Sequence, residues 1–466
     1  MKSTAHHNES GARGRLRAAS WGRRSLLLGF VLVCGWAVAT GQTPGATPPP
    51  PGTPPQPQTN PCANKNNVNN LIVCLKDGYE KVFKKGYKHI HGELGGIVPG
   101  SGLGLGLGYN PARKTINHGL DTWRLRFKGR GLFTYKKYWE VDTNLLITRA
   151  HNQFSSTSGT NVENELDESD LKINVYGQIR DMTRLDFFGL GSETQQADRA
   201  VYNYRQGVIG VDAAKAANKF IDVGGAFEHI WPHLVRIANP SVRSVERVFT
   251  ETTAPGLTSQ PNFLHFTAYA NLHSPGGFEH RKVEYKFFYH FFHDYQDGRY
   301  SFRRFDADLR HKIPLDAKDQ IRVRGRISLS DTSAGQRVPF YLMETLGGTT
   351  IRGDDTLRGF RDYRFRDRDL LLLQAEYLRQ LSVPIKPLHD VLWLIGFYDT
   401  GKVAPSVSDF GQGRLRHSVG LGFVILPRPL ENYQFRFTFG FGSGEGIHSH
   451  LGLGDKNSPK ADRLLR

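Results

Sequence analysis

Charged side chains that could act together are concentrated in residues 345–377 and in a strand-like segment that follows them. The first stretch holds Arg358 and an isolated acid, Glu376, and the second holds Asp399. A carboxylate on a largely apolar strand face is costly against lipid, so we expect that face to turn inward and the acid to meet a partner there. Because alternate residues of a strand share a face, the companions of Asp399 would be Trp393, Ile395, Phe397 and Gly401.

The segments that must position these residues alternate apolar and polar side chains with a period of two. In 123–130, Trp123, Leu125 and Phe127 alternate with cationic residues, and 434–442 alternates four phenylalanines with other side chains. A cation at every second position cannot face lipid, and a soluble sandwich would not bury it. The apolar-out, polar-in wall of a transmembrane β-barrel accepts the pattern directly.

Sixteen such segments predict an all-β fold, a sixteen-stranded antiparallel transmembrane β-barrel over 95–454. An even number allows an up-and-down barrel to close without an edge. The segments lie near 95–109, 119–133, 136–150, 169–180, 181–190, 200–214, 218–232, 262–274, 279–295, 299–313, 319–332, 369–382, 390–403, 414–426, 433–442 and 446–454. Short turns are periplasmic and long loops are extracellular in such barrels. This rule assigns 135–137, 314–318, 383–390 and 427–433 to the periplasmic side, and 150–168, 233–261 and 333–368 to the outside.

Leu357-Arg358-Gly359-Phe360 resembles the arginine-glycine-aromatic loop motif of the BamA/TamA family, also called the bacterial surface antigen family. Phe397 to Gly401 resembles the FxDxG strand motif of the same family, and 186–191 and 95–109 also resemble its strand motifs. The resemblance spans about 95–454. A second Arg-Gly pair, Arg352-Gly353, lacks an aromatic after its glycine, so we prefer Arg358.

This resemblance implies a long extracellular loop folded into the lumen, where Arg358 meets Glu376 and Asp399. It also implies a part in inserting or translocating outer-membrane components by lateral opening between the first and last strands, without a catalytic residue. Two departures stand out. The N-terminal segment is too short for the periplasmic POTRA domains of family insertases, and the last strand ends at Leu451 to Gly454 where many barrels end on an aromatic residue.

The N-terminus has the pattern of an export signal over 1–39: a basic region, an apolar core from Leu26 to Trp36, and a small-x-small cleavage site. Residues 40–61 form a Pro-rich linker. In the short periplasmic segment 62–94 we expect either an amphipathic helix or a linker. An oxidising compartment favours a Cys62–Cys74 disulfide, the alternative being two free thiols. Residues 455–466 are a polar tail.

Several function classes are excluded on sequence grounds. Part of the net charge of +17 leaves with the signal peptide and much of the rest alternates along strands, so we expect no nucleic-acid binding. The glycines of 100–108 are not followed by Gly-Lys-Ser/Thr, and no GxSxG occurs. His290 and His293 would lie on opposite strand faces, whereas His448 and His450 share one. We expect no cofactor, no metal and no enzymatic activity.

The sequence therefore predicts a bacterial outer-membrane barrel of the BamA/TamA type without POTRA domains. Its expected partners are the lipid bilayer and either unfolded outer-membrane proteins or periplasmic proteins. The alternative function is a passive pore whose cationic lining favours anionic solutes. An outer-membrane enzyme is a third and weaker hypothesis, because no nucleophile–base arrangement stands out.

Overall fold

The computed structural model describes residues 82, 87–151, 169–275, 282–382, 391–425 and 433–455. The predicted signal peptide, the Pro-rich linker, the Cys62–Cys74 disulfide and most of the polar tail lie outside these residues. Among the described residues, no helix is long and apolar enough to cross a membrane.

The described chain is built almost entirely of antiparallel strands. They are β1 (Ile90–Gly95), β2 (Gly104–Tyr109), β3 (Lys114–His118), β4 (Asp121–Thr134), β5 (Trp139–His151), β6 (Leu171–Phe187), β7 (Ala200–Asn218), β8 (Ile221–Val235), β9 (Phe263–His273), β10 (Val283–Asp294), β11 (Phe302–Pro314), β12 (Asp319–Asp331), β13 (Glu344–Leu346), β14 (Phe365–Asp367), β15 (Asp369–Leu381), β16 (Leu392–Ala404), β17 (Arg416–Ile425), β18 (Tyr433–Gly442) and β19 (Gly446–Asp455). A one-turn α-helix, Val245–Val248, lies between β8 and β9, and three short 3₁₀ turns are Gln196–Asp198, Phe340–Leu342 and Val407–Gly411.

Seventeen of these strands form one sheet, and β13 and β14 form a separate hairpin. β2 and β3 pair with two parts of the same edge of β4, Gly129–Thr134 and Asp121–Leu125, so they are two halves of one strand. The sheet thus has sixteen strand positions in chain order. The predicted sixteen-stranded antiparallel architecture is confirmed.

The wall is polar inside and apolar outside, the reverse of a soluble protein. On β5, Glu140, Asp142 and Asn144 are buried, while outward side chains such as Leu107 and Leu451 are 65% and 75% exposed. An apolar exterior of this extent matches a lipid environment. Strand alternation therefore produces a transmembrane barrel wall.

Contacts across the interior show that the sheet wraps around loop 332–368, which joins β12 to β15. Ser192, between β6 and β7, donates its hydroxyl to the carbonyl of Val403 in β16 at 2.8 Å. From the loop, Arg366 donates to the Tyr202 hydroxyl on β7 at 3.0 Å, and Phe340 packs against Phe187 of β6 with ring centroids 5.0 Å apart. We call the end of the barrel that carries this loop the loop end, and the opposite end the turn end.

The first and last strands are not joined by a ladder. Among the described residues, β1 pairs only with β2, and β19 pairs only with β18. β1 has six residues and β19 has ten. The expectation that the sheet closes without an edge is therefore wrong for this structure, which has a seam between β1 and β19.

Two predicted strand boundaries are wrong in opposite senses. Residues 95–109 are not one strand, because β1 ends at Gly95 and the chain reverses through Gly100 and Gly102, whose φ values of 78° and 79° suit glycine. Conversely, 169–180 and 181–190 form the single strand β6, which continues through a register shift between Met182 and Leu185. A bulge moves the alternation by one residue and so imitates a break in the pattern.

These two errors leave the number of strands unchanged, but they assign two connections to the wrong end of the barrel. The turn 135–137, predicted to be periplasmic, lies at the loop end, where Lys136 Nζ donates to the Gly100 carbonyl at 2.7 Å. The connection that leaves His151 and returns at Ser169, predicted to be extracellular, begins and ends at the turn end. The barrel also begins at Ile90, inside the segment predicted to precede it, since Ile90–Gly95 pairs with β2.

Candidate functional site

Loop 332–368 enters the barrel as the β13–β14 hairpin and is tied there to the neighbouring strands. Glu344 of β13 is 6% exposed. Its carboxylate forms an ion pair with Arg304 of β11 at 3.2 Å and accepts a hydrogen bond from Arg326 of β12 at 2.9 Å. Two arginines from the wall therefore hold the descending arm of the loop.

Arg358 lies at the centre of the loop and brings together the three residues that the sequence singled out. Its side chain is 1% exposed. Its backbone N–H and Nε donate to Asp399 Oδ2 at 3.1 and 3.0 Å, Nη2 pairs with Asp399 Oδ1, and Nη1 pairs with Glu376 Oε1. One guanidinium thus holds carboxylates from β15 and β16, a geometry that a lysine ammonium cannot reproduce.

The buried charge of Asp399 is compensated by further donors. Gln374 Nε2 donates to Asp399 Oδ1 and Ser418 Oγ donates to Asp399 Oδ2, both at 3.1 Å. Gln374 Nε2 also donates to the carbonyl of Thr356 at 2.9 Å, which ties the loop backbone to β15. Every oxygen of this buried carboxylate is therefore satisfied, as low-polarity surroundings require.

The cluster includes a second arginine, Arg436, which lies on β18. Arg436 Nη2 donates to Glu376 Oε1 at 2.7 Å, and its Nη1 donates to Asp355 Oδ2 at 2.8 Å. The charges alternate in sign along Asp399, Arg358, Glu376, Arg436 and Asp355. This chain of ion pairs connects three strands with the loop.

Aromatic contacts complete the surroundings of Arg358. The guanidinium carbon lies 3.8 Å from the centroid of the Phe397 ring. Phe397 belongs to the same inward face as Asp399, so the apolar side chain on that face stacks on the cation while the acid pairs with it. Phe360 is fully buried and packs against Phe365 with ring centroids 5.3 Å apart.

Glycines at three places allow close packing, and two of them bring the loop backbone against the wall. A Cβ added to Gly359 would overlap the backbone of Phe441 and Gly442 in β18. A Cβ at Gly442 would in turn overlap the Gly359 carbonyl, and one at Gly401 would lie 2.7 Å from the Leu371 carbonyl and 3.3 Å from Leu346 of β13. The glycines of both sequence motifs are therefore positions of close approach.

Arg352, the competing arginine, is placed differently from Arg358. It is exposed, whereas Arg358 is buried between Glu376 and Asp399. Gly353 has open space around its Cβ position. Of the two candidate arginines, Arg358 and not Arg352 therefore reaches the acids on the strands.

Several residues of the site carry no motif signal of their own. Their shared feature is an inward polar side chain on a wall strand or an arginine in the run 361–368, which is dense in Arg and Asp. Segment 186–191, singled out as a strand motif, contacts the same run, because Phe188 lies 4.7 Å from the Arg364 guanidinium and Gly191 N donates to the Arg366 carbonyl at 2.8 Å. The sequence analysis did not single out, among others, Arg364, Arg366, Gln374, Ser418 and Arg436.

Arg130 among the inward cations of β4, and His450 among the histidines weighed as metal ligands, have protein partners. Arg130 Nη2 pairs with Glu140 at 3.0 Å and with Asp142 at 3.1 Å. His450 Nδ1 lies 3.5 Å from Asp362 Oδ1 of the loop. Within the described ranges, no group of three or more His, Cys, Asp or Glu side chains is arranged to hold a metal ion.

No protein-family model and no curated protein sequence matches the chain. Among solved structures it is similar to BamA from Haemophilus ducreyi lacking POTRA domains 1–3, with 14% identity and a TM-score of 0.49 over 79% of this chain and 71% of that one. It is also similar to CdiB from Escherichia coli, with 12% identity and a TM-score of 0.46 over 79% of this chain and 63% of that one. For CdiB from Acinetobacter baumannii the identity is 12% and the TM-score 0.43, over 78% of this chain and 59% of that one. The chain thus spans about three-fifths of either CdiB, and its barrel assignment rests on its own strand ladders and wall polarity.

Proposed function

We propose that this protein is an outer-membrane barrel that helps to insert or translocate outer-membrane components through the seam between β1 and β19. The observation that carries the proposal is the missing ladder between these strands among the described residues. Backbone N–H and C=O groups left unpaired in hydrocarbon each cost several kcal/mol, so edge strands in a membrane favour the addition of another strand. The work is done by strand pairing and needs no catalytic residue.

The outward side chains of β19 suit this role. Ile447 and Leu451 are 74% and 75% exposed. They alternate with His448 and His450, of which His450 faces Asp362 in the lumen. A substrate strand that pairs with β19 and follows the same alternation would therefore extend the lipid-facing surface.

The Arg358 cluster supports the seam in this proposal. Gly359 lies directly against the backbone of β18, the strand beside β19. The ion pairs with Glu376 and Asp399 fix that part of the loop on β15 and β16. We propose that the cluster positions the loop next to the last hairpin, formed by β18 and β19, while the seam opens. The partners in this view are the bilayer and unfolded outer-membrane proteins.

Locking the seam tests the proposal. Cysteine pairs that combine Ile90, Gly92 or Leu94 of β1 with Ile447, Ser449 or Leu451 of β19 are introduced into a chain whose native cysteines are serine. We expect oxidised seam pairs to stop the insertion of a reporter outer-membrane barrel into proteoliposomes, and reduction to restore it. The matched control joins Phe437 and Leu451, which already face each other across β18 and β19. Full activity of a quantitatively locked seam contradicts the proposal.

A passive anion-favouring pore is the second candidate, supported by the inward cations of β4. Arg130 pairs with Glu140 and Asp142, and the ion-paired loop occupies the interior. These contacts favour the first proposal over an open conduit. Single-channel recording in planar bilayers distinguishes the two: large stable anion-selective currents, together with normal outer-membrane protein levels in cells depleted of this protein, support the pore.

A further inference from the structure

Three consecutive loop residues, Asp362, Tyr363 and Arg364, reach both sides of the seam at the loop end. On the last hairpin, Arg364 pairs with Glu445 in the turn between β18 and β19. Asp362 Oδ1 lies 3.5 Å from His450 Nδ1 on β19 itself. The side chains of Arg364 and Glu445 are 4% and 6% exposed, so their ion pair is nearly buried.

Between these two residues, Tyr363 contacts the first hairpin. Its hydroxyl donates to the Pro99 carbonyl in the turn between β1 and β2 at 3.3 Å. Its ring is 3% exposed and belongs to the same apolar cluster as Ile97 and Val98 of that turn. Tyr363 therefore joins the first hairpin by packing as well as by a hydrogen bond.

The backbone of this segment is held firmly enough to bridge the two hairpins. Tyr363 has a φ of 59°, a left-handed conformation that a bulky residue adopts only when its surroundings impose it. Its N–H donates to the Gly347 carbonyl at 3.2 Å. Arg364 is also fixed to the connection between β6 and β7, donating to the Thr194 hydroxyl at 2.9 Å and to the Thr194 carbonyl at 2.6 Å.

We propose that Asp362, Tyr363 and Arg364 form a latch that holds the two edge hairpins together from inside the barrel, where no backbone ladder does so. Breaking one partner of a buried ion pair leaves the other charge uncompensated. The Arg364–Glu445 contact therefore resists separation of β19 from the loop, and Tyr363 resists separation of the first hairpin. The seam opens when this segment of the loop lets go of one hairpin.

The role of the latch in function rests on the proposed opening of the seam, but its test does not. Spin labels at Leu105 on β2 and Ile447 on β19, both outward and exposed, report the distance across the seam without any substrate. A second label pair at Val175 and Val211, which face each other in β6 and β7, reports general loosening of the wall. Dipolar broadening of continuous-wave electron paramagnetic resonance spectra, which is sensitive to labels this close together, reports both distances in a chain whose native cysteines are serine.

We expect Arg364→Ala and Glu445→Gln to move the seam distances to longer values by one strand spacing, roughly 5 Å, and Tyr363→Phe to produce a smaller shift. Arg361→Ala, which removes an exposed arginine from the same loop, should leave the distribution unchanged. The Val175–Val211 distance should not change in any variant.

An unchanged seam distribution in folded Glu445→Gln and Tyr363→Phe overturns the latch, even if Arg364→Ala fails to fold. Equal broadening of the Val175–Val211 distance also overturns it, because the effect would then be general. The locked-seam insertion assay stands separately: full insertion activity with a locked seam removes the proposed function and leaves this inference intact.

Discussion

At the residue scale, the site is organised by one guanidinium that forms ion pairs with two carboxylates and so compensates the loss of their hydration. Arg358 contacts Asp399 through its side chain and its own backbone N–H, and it contacts Glu376 through a second nitrogen. Because Asp399 is fully buried, removal of the cation leaves an acid without its main partner. The arginine is therefore expected to determine where the loop sits.

Replacing Arg358 should release the loop without unfolding the wall. Breaking a buried pair costs about 3–5 kcal/mol, less in a hydrated lumen, while the sixteen-strand ladder is untouched. We expect Arg358→Ala to make loop 332–368 sensitive to limited proteolysis in outer-membrane vesicles, and Arg358→Lys to protect it only partly. Arg352→Ala is the control, since that side chain is exposed. Cleavage of the loop in Arg352→Ala but not in Arg358→Ala would refute the assignment.

The glycine of the loop motif offers a purely steric test. A Cβ at Gly359 would overlap the backbone of β18, so the loop or the strand must move in Gly359→Ala. Overpacking of this kind costs about 1–3 kcal/mol. We expect Gly359→Ala to lower the midpoint temperature at which the compact, faster-migrating form is lost, when samples are incubated at rising temperatures and then run on a gel without further heating. Gly131→Ala is the matched control because nothing lies within 4 Å of its Cβ position; an equal loss in both variants would contradict the steric argument.

At the element scale, irregular strands determine which end of the barrel each connection occupies. The bulge near Thr183 keeps β6 as one strand across a break in the alternation, and the reversal at Gly100 and Gly102 separates β1 from β2. The unbroken β6 places the turn at Lys136 on the same end as the long loop, and the reversal places the turn between β1 and β2 there as well. Loop length alone is thus a poor guide to sidedness in the first part of this barrel.

Chemical labelling of intact cells tests this sidedness. Lys136→Cys, at the loop end, should react with a membrane-impermeant maleimide on whole cells. Lys318→Cys, in the exposed turn between β11 and β12 at the turn end, should react only after the outer membrane is permeabilised. Both variants are made in a chain whose native cysteines are serine. Labelling of Lys318→Cys alone on intact cells would reverse the orientation.

At the scale of the whole molecule, the wall has the polarity of a protein solvated by lipid. Buried polar residues such as Glu140 and Asp142 line the interior, and outward residues such as Leu107 are largely exposed. Water would disfavour such a surface, because contiguous apolar patches of this size lead to association. Lipid removes that penalty.

The mature protein should therefore fractionate with the outer membrane and migrate faster on gels before heating than after it. Neighbouring strands that hydrogen-bond along the whole sheet make the folded form resistant to detergent, and heating converts it to the slower unfolded form. The heated sample serves as the internal reference. Recovery as a soluble periplasmic protein that lacks this mobility shift would reject the barrel.

The sequence by itself determined the polarity of the wall and the core of the site, whereas its strand count was right because two boundary errors cancelled. Period-two alternation is a local property, so it survives in the sequence of each strand whatever that strand pairs with. The acid on the inward face with Phe397 and the loop arginine beside Gly359 predict that Arg358 meets Asp399, and the two residues are in contact.

Only the tertiary structure decided the seam and the contact of Tyr363 with the turn between β1 and β2. Whether β1 pairs with β19 depends on how the twist and stagger of sixteen strands accumulate around the barrel, which no local pattern encodes. Tyr363 and Pro99 are 264 residues apart in the sequence and meet only because the sheet wraps around the loop. Neither residue has a neighbour in the chain that indicates the other, so their contact follows from the way the sheet wraps around the loop.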